Sequence, residues 1–126
     1  DGRCLLSEDQ LAQIQAIHWK HAHRHFKKRF NNLGFSSIWS SVACHGLDDL
    51  VEAAALEFDC ATLSPVNKTQ THPDATALGW EQFSQWVAKA TIPVYALGGV
   101  TLDDKTLATQ AFAQGIAGIG LFNTYR

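Results

Sequence analysis

The chain has 126 residues, 46% of them hydrophobic and 17% charged, with a formal net charge of -2. This fits one soluble globular domain with a real core; it excludes the disordered and low-complexity classes, and the near balance of charge argues against an overall nucleic-acid footprint. No apolar run approaches the about 20 residues of a membrane span, no signal-peptide pattern opens the chain, and Cys4, Cys44 and Cys60 lack CxxC spacing, so a cytoplasmic protein with reduced thiols is expected.

The sequence opens at Asp1 and contains no methionine, which points to a fragment or a processed piece. Ser7 with Gln10 has the capping-box form, and Leu11, Ile14, Ile17, Ala22 and Phe26 recur at roughly helical spacing. A helix from about Glu8 to about Arg29 is therefore predicted, ended by Asn31, Asn32 and Gly34, so that residues 1–36 form an N-terminal helical segment. Its histidines and cations (His18, His21, His23 and His25 among Lys20, Arg24, Lys27, Lys28 and Arg29) read as a solvated basic face. A metal bridging His21 and His25, or an anionic partner including nucleic acid, is the weaker alternative.

Ser37–Cys44 predicts a strand. Leu47, Leu50, Val51, Ala54, Ala55 and Phe58 then predict an amphipathic helix, and Asp59–Ser64 the next strand. Pro65–Leu78, rich in Pro, Thr, Asn and Asp, reads as a functional loop. Trp80, Phe83, Trp86 and Val87 mark another helix and Pro93–Leu97 a strand. Thr101, Asp103 and Asp104 start a helix to Gln114 that turns Leu107, Ala111 and Phe112 inward. Ile116–Leu121 is the last strand. Alternating β and α elements imply a parallel sheet, and the absence of GxGxxG and GxxxxGK[ST] tilts the choice from a doubly wound sheet toward a barrel.

The run IPVYALGGV (Ile92–Val100) stops at Gly98 and Gly99, and a second glycine-bearing strand, GIAGIGLF (Gly115–Phe122), follows one helix later. Two such strand ends suggest a composite phosphate cup built from backbone amides; the plainer alternative is that the glycines only close tight turns. His45 follows a strand end, where a plain role is capping the helix that begins near Leu47. A Cys44/His45 nucleophile is disfavoured because adjacent strand positions face opposite ways.

VACH (Val42–His45), SPVNKTQTHPDATALGWE (Ser64–Glu81) and YALGGVT with GIAGIGLF together resemble the thiamine-phosphate synthase and TenI (thiazole tautomerase) family. The resemblance implies a TIM (β/α)8 barrel, of which this single 1–126 domain would be about the C-terminal half. Residues 37–126 would supply the phosphate-binding βα units, on the fifth to eighth strands, with Arg3–Leu6 a candidate fourth. It implies that Gly98, Gly99, Ile119 and Gly120 hold a thiazole phosphate and that Thr69, Gln70 and Thr71 form the substrate loop.

His72 stands where synthases carry a lysine, Ala43 where they carry a serine, and only Asp9 could be a remnant of their metal site. The TenI branch needs no metal and uses a histidine matching His45 as acid/base. The leading expectation is thus a TenI-like enzyme without cofactor. The alternatives are a synthase requiring Mg²⁺ and a missing N-terminal half, and a non-catalytic phosphate-binding regulatory module. Self-association or the missing half would complete the barrel, and neither membrane nor nucleic acid is an expected partner.

Overall fold

The computed structural model describes residues 9, 13–69 and 74–118. Five strands form one parallel sheet in sequence order: β1 (Ala16–Trp19), β2 (Trp39–Cys44), β3 (Cys60–Leu63), β4 (Val94–Ala96) and β5 (Gly115–Ile116). Between them run α1 (Phe26–Phe30), α2 (Leu47–Ala55), α3 (Gly79–Val87) and α4 (Lys105–Gln110). A doubly wound sheet reverses its strand order somewhere; an order that never reverses belongs to the arc of a β/α barrel.

The sheet has two unlike faces. Val42 and Cys44 of β2, Ala61 and Leu63 of β3, and Val94 and Ala96 of β4 are buried in one core cluster with Leu50 and Ala53 of α2, Phe83 and Val87 of α3, and Ala108 of α4. Side chains alternate along a strand, so the register places His18, Ser41 and Cys60 on the opposite, concave face, and likewise Ala43, Thr62 and Tyr95. Phe83 and Leu50 are fully buried. Each side chain of that size contributes roughly 1.5–3 kcal/mol when taken out of water.

The described residues 13–25 correct the expected continuous helix over Glu8–Arg29; in the segment 1–36 the helical residues shown from Phe26 on are Phe26–Phe35. Ala16–Trp19 is a strand paired with Trp39–Val42. Ile17 and Trp19 alternate with Ala16 and His18, and they pack with Phe30, Ile38 and Phe35 in a second small core. Trp19 meets Phe30 edge to face at 5.4 Å. A 3-10 turn at His21–His23, the short α1 and a wide turn at Asn31–Phe35 then lead to β2.

The basic face is also not uniformly solvated. Lys27 is 1% exposed; its ammonium donates to Asn31 and lies 5.5 Å from the centre of the Phe58 ring. Burial lowers its pKa, against the opposing pull of Asp59 and Glu57.

Further along, the expected strands and helices appear with tighter limits. α4 stops at Gln110 rather than Gln114, because Phe112 takes a positive φ of 70° and Gln114 turns its amide to the Val94 carbonyl. Phe112 is consequently 65% exposed and Leu107 is exposed too; Ala108 and Ala111 do the inward packing. Thr101 is the expected N-cap and forms a reciprocal capping box with Asp104, but the box opens a 3-10 turn over Leu102–Asp104, and α4 follows from Lys105 with Asp104 as its N-cap and no side-chain cap bond. Arg3–Leu6 and the Ser7/Gln10 box lie outside the described residues, as do residues 119–121 of the strand expected over Ile116–Leu121. No helix among the described residues is long and apolar enough to cross a membrane.

Candidate functional site

Parallel strands bring their C-terminal ends to one rim, where β/α barrels carry their chemistry. At the β2 end, His45 leaves the strand, and Gly46 begins α2 as its N-cap without a side-chain cap bond. The capping role is therefore not what His45 does. Asp49, in the first turn of α2, reaches back, and its Oδ2 accepts the His45 backbone N–H at 2.8 Å.

The His45 Nδ1 lies 3.2 Å from the Ser64 carbonyl oxygen and 3.4 Å from the Ser64 hydroxyl, at the end of β3. The tautomer with its proton on Nδ1 would donate to that carbonyl and leave Nε2 as the basic nitrogen. His45 is exposed at this rim.

The β3 and β4 ends are laced together. Ser64–Pro65 is a cis peptide. Beyond it Val66 N–H donates to Leu97 O and Asn67 N–H to Gly98 O, both at 3.0 Å, and the Asn67 side-chain amide donates to Gly99 O at 3.2 Å. Gly98 and Gly99 both take left-handed φ values, 96° and 64°. A Cβ on Gly98 would stand 2.6 Å from the Pro65 Cα. The glycines are thus required by this close approach as well as by backbone conformation. Among the described residues none accepts from the backbone amides of Gly98 or Gly99.

Thr69 continues this loop. Gln70, Thr71 and His72, together with Ile119 and Gly120, lie outside the described residues, so the second half of the expected cup is not described.

His21 is a neighbour of His45 at this rim. Read from the sequence as part of a basic helical face, it instead lies just past the end of β1. Its ring stands edge to face with His45, centroids 5.6 Å apart, and its Nδ1 is 3.6 Å from Asp49 Oδ2. Arg24 donates to Glu52 at 2.7 Å and His25 lies 3.5 Å from the same carboxylate. The Arg24 hydrogen bond holds the Glu52 carboxyl below its ordinary pKa.

His21 and His25 therefore face different carboxylates and do not converge on a shared ion. Among the described residues no three His, Cys, Asp or Glu side chains are placed to hold a metal, and Asp9 is exposed. The Cys44 thiol is pushed up to about 12, first by burial and then by Asp49, with Arg24 opposing. It faces the helix layer, as the alternation argument requires, and is no nucleophile at neutral pH. Cys44 and Cys60 are both free thiols.

Residues 27–122 match the sequence profile of a family described as thiamine monophosphate synthase. Over 80 residues the chain is 39% identical to an Aquifex aeolicus (strain VF5) protein provisionally named thiamine-phosphate synthase 2, covering 64% of this chain and 43% of that protein. Over 79 residues it is 38% identical to the thiamine-phosphate synthase of Chlamydia abortus, covering 62% and 37%. Among solved structures it resembles a thiamine phosphate pyrophosphorylase from Pyrococcus furiosus, with a TM-score of 0.68 at 19% identity over 83% of this chain and 48% of that one. The chain thus spans under half the length of these relatives, and the structural likeness speaks to the fold.

Proposed function

Because the chain belongs to the thiamine monophosphate synthase family, we propose that it binds a thiazole phosphate at the C-terminal rim of its sheet and shifts protons on the bound ring through His45, in the manner of the TenI branch. The observation that carries this reading is the His45–Ser64 contact. It favours the tautomer that leaves Nε2 as a base, at the same rim as the glycine turn. The phosphate ester would take hydrogen bonds from the Gly98 and Gly99 amides, and Thr69 to His72, with Ile119 and Gly120, would complete the grip. Anchoring by the phosphate holds the ring beside His45, which removes a proton at one ring position and returns it at another.

A second reading, synthase activity, is favoured by the names of the curated relatives. It needs Mg²⁺ held by carboxylates, and the described residues do not offer that ligand set. The rest of the barrel would have to supply it.

The test is to incubate the chain with a thiazole phosphate in one tautomeric form and follow interconversion by NMR, with and without EDTA. EDTA-resistant turnover supports the proposal. Turnover only after adding Mg²⁺ and a pyrimidine diphosphate favours the synthase, and binding without turnover favours a regulatory module.

A further inference from the structure

We propose that His21 is the second proton-transfer group of this site, paired with His45 across Asp49, so that one imidazole takes a proton from the bound ring while the other gives one. This rests on the tautomerase reading of His45 and deepens it. Three observations converge. The two rings touch edge to face at 5.6 Å. Asp49 Oδ2 serves both histidines, accepting the His45 amide at 2.8 Å and facing His21 Nδ1 at 3.6 Å. The His21 Nδ1 is itself buried and has no hydrogen-bond partner within bonding distance, an arrangement that costs stability and so calls for a reason.

The groups around the pair are few. Asp49 and Glu52 come from α2, and Arg24 and His25 from the segment after β1. Arg24 and His25 pair with Glu52, and Arg24 also donates to the His21 carbonyl at 3.0 Å. Glu52 lies close enough to feel the His21 charge, and Asp49 is the carboxylate within 3.6 Å of His21 Nδ1. When His21 carries its second proton, the two form an ion pair beside the His45 ring.

The proton count closes. The cycle starts with His45 neutral and His21 as imidazolium. A proton passes from one ring position to His45 Nε2, and a proton from His21 goes to another position, leaving the ligand isomerised with no net change in charge. His45 is then the imidazolium and His21 neutral, and exchange of one proton through water restores the starting state. Asp49 is a positioning residue, holding the His45 backbone and steadying charged His21.

The experiment compares the full chain with His21→Gln, Asp49→Asn and His45→Gln. The pH dependence of kcat is measured on a thiazole phosphate, and the imidazole titrations are followed by NMR without substrate. A bell-shaped profile is expected, its acid limb set by His45, which must be neutral, and its alkaline limb by His21, which must be charged. His21→Gln should lower kcat by about 10² with KM unchanged and remove the alkaline limb. In the NMR titration, His45 should follow a two-step curve that becomes single-step in His21→Gln and shifts in Asp49→Asn.

An alkaline limb that persists in His21→Gln overturns the pairing, as do His45 titration curves that superimpose in all three backgrounds. A wild-type chain with no turnover would instead sink the tautomerase reading, and the titration would still decide whether the two histidines are coupled.

Discussion

A Cβ placed on Gly99 would lie 2.6 Å from the carbonyl oxygen of Lys68. The glycine turn after β4 and the loop after β3 are thus packed backbone against backbone, with no room for a side chain between them. Gly99→Val must push the two apart and also force a β-branched residue to φ near 64°, a strain of about 1–3 kcal/mol before the clash is counted. Isothermal titration of a thiazole phosphate should show binding lost, while far-UV circular dichroism keeps the native signal. Retained affinity would remove the glycine turn from the phosphate site.

His45→Asn should lower tautomerisation by about 10²–10⁴ with little change in ligand affinity, since the phosphate rather than the imidazole provides the anchor. Parallel kinetics and titration calorimetry would separate the two quantities. A fall in affinity with kcat unchanged would make His45 a binding residue.

Phe83 is fully buried between α3 and the sheet. Phe83→Ala should cost about 3–5 kcal/mol in urea unfolding, through lost transfer energy and the cavity left behind. A loss under about 1 kcal/mol would mean that the helix layer collapses readily onto the sheet.

The depressed pKa of the Glu52 carboxyl makes the Arg24–Glu52 contact a pH-dependent tie between the segment after β1 and α2. A carboxyl held lower in the folded state stabilises it above the unfolded pKa, and that contribution is lost as pH falls through the folded value. Wild type should therefore lose stability on acidification below the usual carboxylate range more steeply than Glu52→Gln. The pair is partly exposed, so the difference is expected to be small. Identical acid-unfolding curves would show that the tie contributes nothing.

Cys44, buried and pushed up to about 12, should resist iodoacetamide at pH 8 in the native chain and react once urea unfolds it. Peptide mapping by mass spectrometry reads both states. Rapid native labelling would mean that β2 and α2 separate readily.

Much of the β2-to-α4 region is legible in the sequence because its signals are unambiguous. Leu47, Leu50 and Ala54 keep helical spacing between a glycine N-cap and Glu57, which turns back with positive φ, and Val94–Ala96 follows a proline that no helix interior would carry. β1 was hidden by its length. Over four residues the alternation of Ile17 and Trp19 with Ala16 and His18 is compatible with either period, and the surrounding apolar residues happened to fit 3.6.

That one misreading also concealed His21. On a helix it is one histidine of a polar face; past a strand end it stands at the rim beside His45. The partners of His45 were out of reach for a related reason. Ser64 O is a backbone atom on another strand, and Asp49 reads from sequence as an ordinary first-turn acid.

Each strand here pairs with the one that follows it in the chain, and the longest separation between paired residues is that of Ala61 and Val94. Every closure is therefore confined to one βα unit, and the entropy of bringing paired residues together grows only slowly with that spacing. An arc wound this way can form in the order in which it is synthesised, each new strand docking on an edge already present. Pulsed hydrogen exchange should then show the short-range β2–β3 and β4–β5 pairings protected before β3–β4, whose paired residues lie farthest apart in the chain.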